Sequence, residues 1–168
     1  MRIKAIAAAA ALVVISAGAS AATTDWGQHD AAELGSNFST GANSLIDDIY
    51  KFSLSAPAGV MSVSVTNDGA GGVFDLENGM LSLYSGVPST GTLIGSFSFD
   101  SAALSHNWGP LPAGDYYYEV TAQVVSTALA GSYLLSSTLA PVPEPETYAM
   151  LLAGLAGVGF VVSRRKSR

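Results

Sequence analysis

Cysteine is absent from all 168 residues, and histidine is confined to His29 and His106. Without thiols there is no disulfide, no thiolate nucleophile and no zinc–thiolate site. A Ser-His-Asp arrangement needs a base within hydrogen-bond reach of its nucleophile, and no Gly-x-Ser-x-Gly turn is present to offer a serine for one. Paired carboxylates for glycoside hydrolysis must converge on one cleft. Asp47 and Asp48 are neighbours, which on a strand face opposite ways. The chain is therefore expected not to be an enzyme. Positive charge is equally scarce. Of seven Lys and Arg residues, Arg2, Lys4, Arg164, Arg165, Lys166 and Arg168 lie at the two ends, and only Lys51 lies between Thr23 and Ala140. Eleven acids share that segment, leaving it a formal charge of −10 where the whole chain carries −6. Such a body repels nucleic acid and anionic lipid. It suits solubility, a neutral polysaccharide partner or Ca²⁺.

Both long apolar runs also belong to the ends. Arg2 and Lys4 precede an uncharged stretch, Ala5 to Ile15, and the small-x-small sequences Ala19-Ser20-Ala21 and Ser20-Ala21-Ala22 follow it. This is the layout of a cleavable secretory signal, expected as a helix over residues 1–22 read by the Sec machinery, with cleavage after Ala21 or Ala22. Its apolar part is too short for the roughly 20 residues that cross a bilayer as a helix. The second run, Tyr148 to Val162, carries no charge over 15 residues and is followed by Arg164, Arg165 and Lys166. It is expected to be a single transmembrane helix with its basic end in the cytoplasm. Gly154, Gly157 and Gly159 are tolerable there, because lipid forces the backbone to close its hydrogen bonds internally. The body would then sit in the periplasm, transiently held by the inner membrane.

Val142-Pro143-Glu144-Pro145, the uncharged run and Arg164-Arg165-Lys166, in that order, resemble the PEP-CTERM sorting signal of Gram-negative bacteria. The resemblance implies recognition by an exosortase, processing near the Pro-Glu-Pro, and delivery to the cell surface or an exopolysaccharide matrix. Residues 141–168 are read as this tail, and Thr138 to Glu146, with Pro141, Pro143 and Pro145, as an extended spacer between the body and the anchor.

Residues 23–140 alternate with a period of two. Ile46, Asp48, Tyr50, Phe52 and Leu54 share one strand face, and Met61, Val63 and Val65 share another. Asn78-Gly79, between Val73–Glu77 and Met80–Tyr84, reads as a two-residue hairpin turn. Further strands are expected over Leu93–Phe99, Tyr116–Val125 and Ser132–Thr138, and the less regular residues 23–44 could supply an edge strand. No helical period occurs between residues 45 and 140. The fold class is all-β: an antiparallel, jelly-roll-like β-sandwich in which two half-buried sheets cover each other's apolar faces.

Ile46-Asp47-Asp48-Ile49-Tyr50-Lys51-Phe52 resembles the entry motif of the FxDxF family of PEP-CTERM proteins, with Ile46 and Tyr50 standing where that pattern has Phe. The layout Asp48-x-Tyr50-x-Phe52, Leu81-Ser82-Leu83-Tyr84, Leu111-Pro112-Ala113-Gly114-Asp115-Tyr116-Tyr117 and Gly131-Ser132-Tyr133 resembles the bacterial pre-peptidase C-terminal domain, which implies a jelly-roll-like sandwich. Some of its relatives bind Ca²⁺ or extracellular polymers. Asp48 is read as structural, turned inward toward a backbone amide or Lys51, or else marking a strand start. The residues best placed to hold Ca²⁺ are Asp68, Asp75 and Glu77 around the glycine-rich stretch 69–72, although the same acids serve as solvated turns. Trp108 and Tyr117 are the aromatic residues expected at the surface, where they could stack on sugar rings. Taken together, the sequence describes an exported structural or adhesive protein of the surface or matrix. The alternative is a carbohydrate- or Ca²⁺-binding module of that matrix.

Overall fold

The computed structural model describes residues 21–30, 32–66, 72–140 and 150–158. The body is built from nine strands: β1 (Thr23–Gln28), β2 (Glu33–Thr40), β3 (Leu45–Leu54), β4 (Ala58–Thr66), β5 (Leu76–Ser85), β6 (Thr92–Ser98), β7 (Leu104–Leu111), β8 (Gly114–Val124) and β9 (Ala130–Ala140). They form a five-stranded sheet in the order β1-β3-β8-β5-β6 and a four-stranded sheet in the order β2-β9-β4-β7. Residues 23–44 thus supply two edge strands, one to each sheet, rather than one.

Every ladder is antiparallel except β1–β3, which is parallel with Thr23 opposite Ile49 and a register shift between Asp25 and Gly27. The connectivity explains this exception to the antiparallel expectation. The chain leaves β1, runs back along β2 in the other sheet, and returns to the first sheet as β3, so β1 and β3 point the same way.

The two sheets bury one shared core. From the five-stranded sheet it takes Ile46, Tyr50, Phe52, Leu81, Leu83, Tyr118, Val120 and Val124, and from the other Val60, Tyr133 and Leu135. The inner faces differ in chemistry. On β4 the buried positions are Val60, Ser62, Ser64 and Thr66, while Met61 is exposed and Val63 and Val65 are half-covered. Met61, Val63 and Val65 do share a face, but it is the outer one. Large rings descend from the opposite sheet, and the small hydroxyl side chains beneath leave room for them and accept or donate hydrogen bonds. From across the sandwich the Tyr118 hydroxyl lies 3.1 Å from Ser137 Oγ, while Trp108 Nε1, on strand β7 of the same sheet as Ser62, donates to Ser62 Oγ at 2.9 Å. Gly35 belongs to the same fit, since a Cβ there would stand 2.5 Å from the Tyr50 ring.

Asn78-Gly79 is not a hairpin tip. Both residues lie inside β5, where the register against β8 jumps between Glu77 and Met80. Asn78 takes a left-handed conformation (φ 58°) that asparagine tolerates, so the pair forms a bulge and the strand continues. Residues 150–158 are helical and exposed, and among the described residues no helix is long and apolar enough to cross a membrane. The N-terminal signal and the flanks of that helix lie outside the described residues.

Candidate functional site

The inward face of β3 places Ile46, Asp48, Tyr50 and Phe52 in the core, each less than 5 % exposed. Three of them are apolar or aromatic packing groups. Asp48 is a carboxylate 1 % exposed, and burial of such a group is costly unless every oxygen is engaged. Four hydrogen bonds converge on it. Oδ1 accepts from the backbone N–H of Ala22 at 2.8 Å and from Asn37 Nδ2 at 3.0 Å. Oδ2 accepts from Asn37 Nδ2 at 2.8 Å and from the Tyr133 hydroxyl at 2.5 Å. Because the Tyr133 proton is directed at Asp48, the Tyr50 hydroxyl, 2.7 Å away, is the donor to Tyr133. Burial, reinforced by the hydrogen bond to Asp48, pushes the Tyr133 hydroxyl far above the ordinary tyrosine range. Burial likewise raises Tyr50.

This cluster ties β3 to β2 and β9, so it spans both sheets. Lys51, offered by the sequence as a partner for Asp48, points outward instead. Its ammonium donates to Asp25 Oδ2 at 2.8 Å on the surface and holds the Asp25 carboxyl below its usual range. A second inter-sheet cluster joins His29 Nε2 to Ser137 Oγ at 2.9 Å and, through Ser137, to Tyr118. Burial drives the Tyr118 hydroxyl upward as well. Trp26 closes this side of the sandwich, stacked on Tyr50 with ring centroids 5.0 Å apart. Asn37 and Ser137 were not singled out by sequence reasoning, and Tyr133 entered only as part of the Gly131-Ser132-Tyr133 pattern, because each acquires its role from a partner brought in by the fold.

The two aromatic residues expected at the surface differ in their cover. Tyr117 is 5 % exposed, with its ring laid parallel on Tyr84 at 4.8 Å. The segment around Gly91 covers it further, since a Cβ at Gly91 would lie 2.6 Å from the ring. Trp108 is half-buried on edge strand β7 and turned inward against Phe97, His106 and Tyr118, with its N–H committed to Ser62. It bridges edge strands β6 and β7 and keeps part of its surface exposed, whereas the Tyr117 ring is covered.

Asp75 and Glu77 line a shallow groove with Asn78 and Asp100, whereas Asp68 lies outside the described residues. Among the described residues no group of three or more His, Asp or Glu side chains is arranged to hold a metal ion. Val142, Pro143, Glu144, Pro145, Arg164, Arg165 and Lys166 also lie outside the described residues.

The comparison that bears on function falls on that tail. Residues 141–166 match the PEP-CTERM protein-sorting motif. The chain carries a PEP-CTERM sorting tail. The motif implies an exosortase as processing partner, export, and transient membrane anchoring before cleavage. No curated protein matches the chain. Among solved structures, the pre-peptidase C-terminal domain of a collagenase from Bacillus anthracis is similar at 15% identity and a TM-score of 0.45, covering 69% of this chain and 94% of that one. This is the domain type whose motif layout the body resembles. Two periplasmic inhibitors of g-type lysozyme, both called PliG, are also similar. The Aeromonas hydrophila protein is 17% identical with a TM-score of 0.39, covering 72% of this chain and 100% of that one. For the Salmonella Typhimurium protein the values are 12%, 0.37, 70% and 98%.

Proposed function

We propose that the chain is an exported, non-catalytic structural or adhesive protein of the cell surface and exopolysaccharide matrix, delivered there by an exosortase. The observation that carries this reading is the PEP-CTERM motif at residues 141–166, joined to a leader of secretory layout. The body supports it in a second way. Its buried polar side chains Asp48, Tyr133, His29 and Ser137, with half-buried Asn37, are spent joining the two sheets. That is the chemistry of a domain built to persist outside the cell without disulfides. The formal charge of −10 over residues 23–140 adds solubility and keeps the domain off anionic membranes.

The test is replacement of Pro143, Glu144 and Pro145 together by alanine in a bacterium that has an exosortase. Release of the body into the medium or matrix fraction should fall at least about tenfold, with uncleaved protein retained in the membrane. Unchanged release would contradict delivery by this route. Retention of the released wild-type body on purified exopolysaccharide tests the adhesive role, and its absence there would leave the domain a non-adhesive surface structure.

A further inference from the structure

The buried carboxylate of Asp48 lacks a lysine or arginine within the body: Lys51, the sole one between Thr23 and Ala140, is engaged by Asp25. Nor are the histidines turned to it in the contacts described above, since His29 bonds Ser137 and His106 stacks on Phe97. The donors it receives from Asn37 and Tyr133 are neutral. Among the described residues its remaining donor is the backbone nitrogen of Ala22, 2.8 Å from Oδ1. Ala22 is also the first residue after Ala19-Ser20-Ala21, one of the two small-x-small sequences at the end of the leader.

We propose that the leader is cut between Ala21 and Ala22, and that the α-ammonium so released is the counter-charge of Asp48. Hydrolysis adds one water across the Ala21–Ala22 peptide bond. The carboxylate leaves with Ala21, and the new amine on Ala22 takes up a proton. The nitrogen that was a neutral amide donor becomes a cation at the position the amide already occupies. Ala22 is fixed there independently, because its carbonyl accepts from the Ile49 N–H at 2.8 Å and continues the parallel β1–β3 pairing. Cleavage one residue later, at the alternative Ser20-Ala21-Ala22, would discard both the nitrogen and that carbonyl. The new terminus would be Thr23, one strand residue further along and turned to the other side. The structure thus distinguishes two cleavage sites that the sequence leaves equal. It also gives maturation a structural consequence: the processed body gains an ion pair between the buried Asp48 carboxylate and a terminal residue at the surface. A carboxylate buried among neutral donors is strained relative to one paired with a cation.

This inference rests on the export reading, because only a removed leader frees the amine. The experiment uses the full chain produced through its own leader in an exosortase-bearing host. One variant carries a glycine inserted between Ala21 and Ala22, so that processing leaves an ordinary amide at Ala22 and moves the charge one residue away. The Ala22 N–H bond survives the insertion, so a purely structural hydrogen bond predicts no change. The expected results are an N-terminal peptide starting at Ala22 in the wild type and a Tm lower by about 5 °C or more in the insertion variant. In an Asp48→Asn background the insertion should make no difference. A mature terminus at Thr23, or equal Tm values for wild type and insertion, would overturn the proposal. If Asp48→Asn does not fold, the α-amine of ¹⁵N-Ala22 is titrated by NMR in the wild type. A pKa well above the usual value of about 8 supports the pair, and an unshifted one overturns it. A retained leader, recognised by peptides from residues 1–21 in the purified protein, defeats the export reading itself and is told apart from cleavage at the wrong bond.

Discussion

Asp48 shows how far a single residue can be read before its neighbours are known. Its place in an alternating run with Ile46, Tyr50 and Phe52 put it on the inner face of β3, where it lies. A backbone amide was expected as a partner and Ala22 supplies one, but which residues would meet it was not legible. Asn37, Ala22 and Tyr133 are 11, 26 and 85 residues away along the chain, and their approach depends on how the two sheets align. Tyr117 was misjudged for a related reason. Alternation correctly placed it on the face opposite Tyr116 and Tyr118, but cover from Tyr84 and the Gly91 segment is a property of neighbouring strands. Asp48→Ala should lower stability by about 3 kcal/mol, because it removes the acceptor that the buried Tyr133 hydroxyl donates to. Asp47→Ala, on the exposed face of the same strand, should stay within about 0.5 kcal/mol. Urea unfolding of the two variants checks this, with the midpoint moving in the first and not the second.

Elements were legible where both alternation and chain reversals are local. The strands now labelled β3, β6, β8 and β9 were each expected within a few residues of their bounds. Strand β5 was cut in two because Asn-Gly serves equally at a hairpin tip and at a bulge. The difference lies in whether the flanking strands pair with each other or with a third strand, here β8. The bulge explains why glycine is needed at 79. A Cβ there would lie 2.7 Å from the Phe99 carbonyl oxygen and 3.1 Å from its ring, and the Gly79 carbonyl itself accepts the Phe99 N–H at 2.9 Å. Gly79→Ala should therefore cost about 1–3 kcal/mol, as overpacking against backbone does. A hairpin tip would leave that Cβ in solvent, so a Tm equal to wild type would contradict the bulge.

At the scale of the molecule, the all-β class was legible: an acidic, cysteine-free body with strands enough for two sheets. Which strand joins which sheet was not, because pairing across the sandwich leaves no local pattern. Among the described residues, one consequence of that assembly is measurable without mutation. Tyr50, Tyr118 and Tyr133 all have hydroxyls raised by burial, while in the unfolded chain they ionise near pH 10. Above that pH the unfolded chain has lost protons that the folded protein still holds, so stability falls as pH rises. The contribution of these three groups should be intact below about pH 10 and decline beyond it. Thermal melts between pH 8 and 12 should show Tm falling on the alkaline side, and a flat profile would mean the hydroxyls are not buried as described.

The tail and the body together make the central claim that this is a transiently anchored protein whose basic, apolar ends are removed on the way out. The most direct test is the intact mass of the protein collected outside cells that have an exosortase. The account expects a species that begins at Ala22, ends near Pro143-Glu144-Pro145 and lacks Arg164, Arg165 and Lys166. A released species that still carries the basic cluster would contradict it.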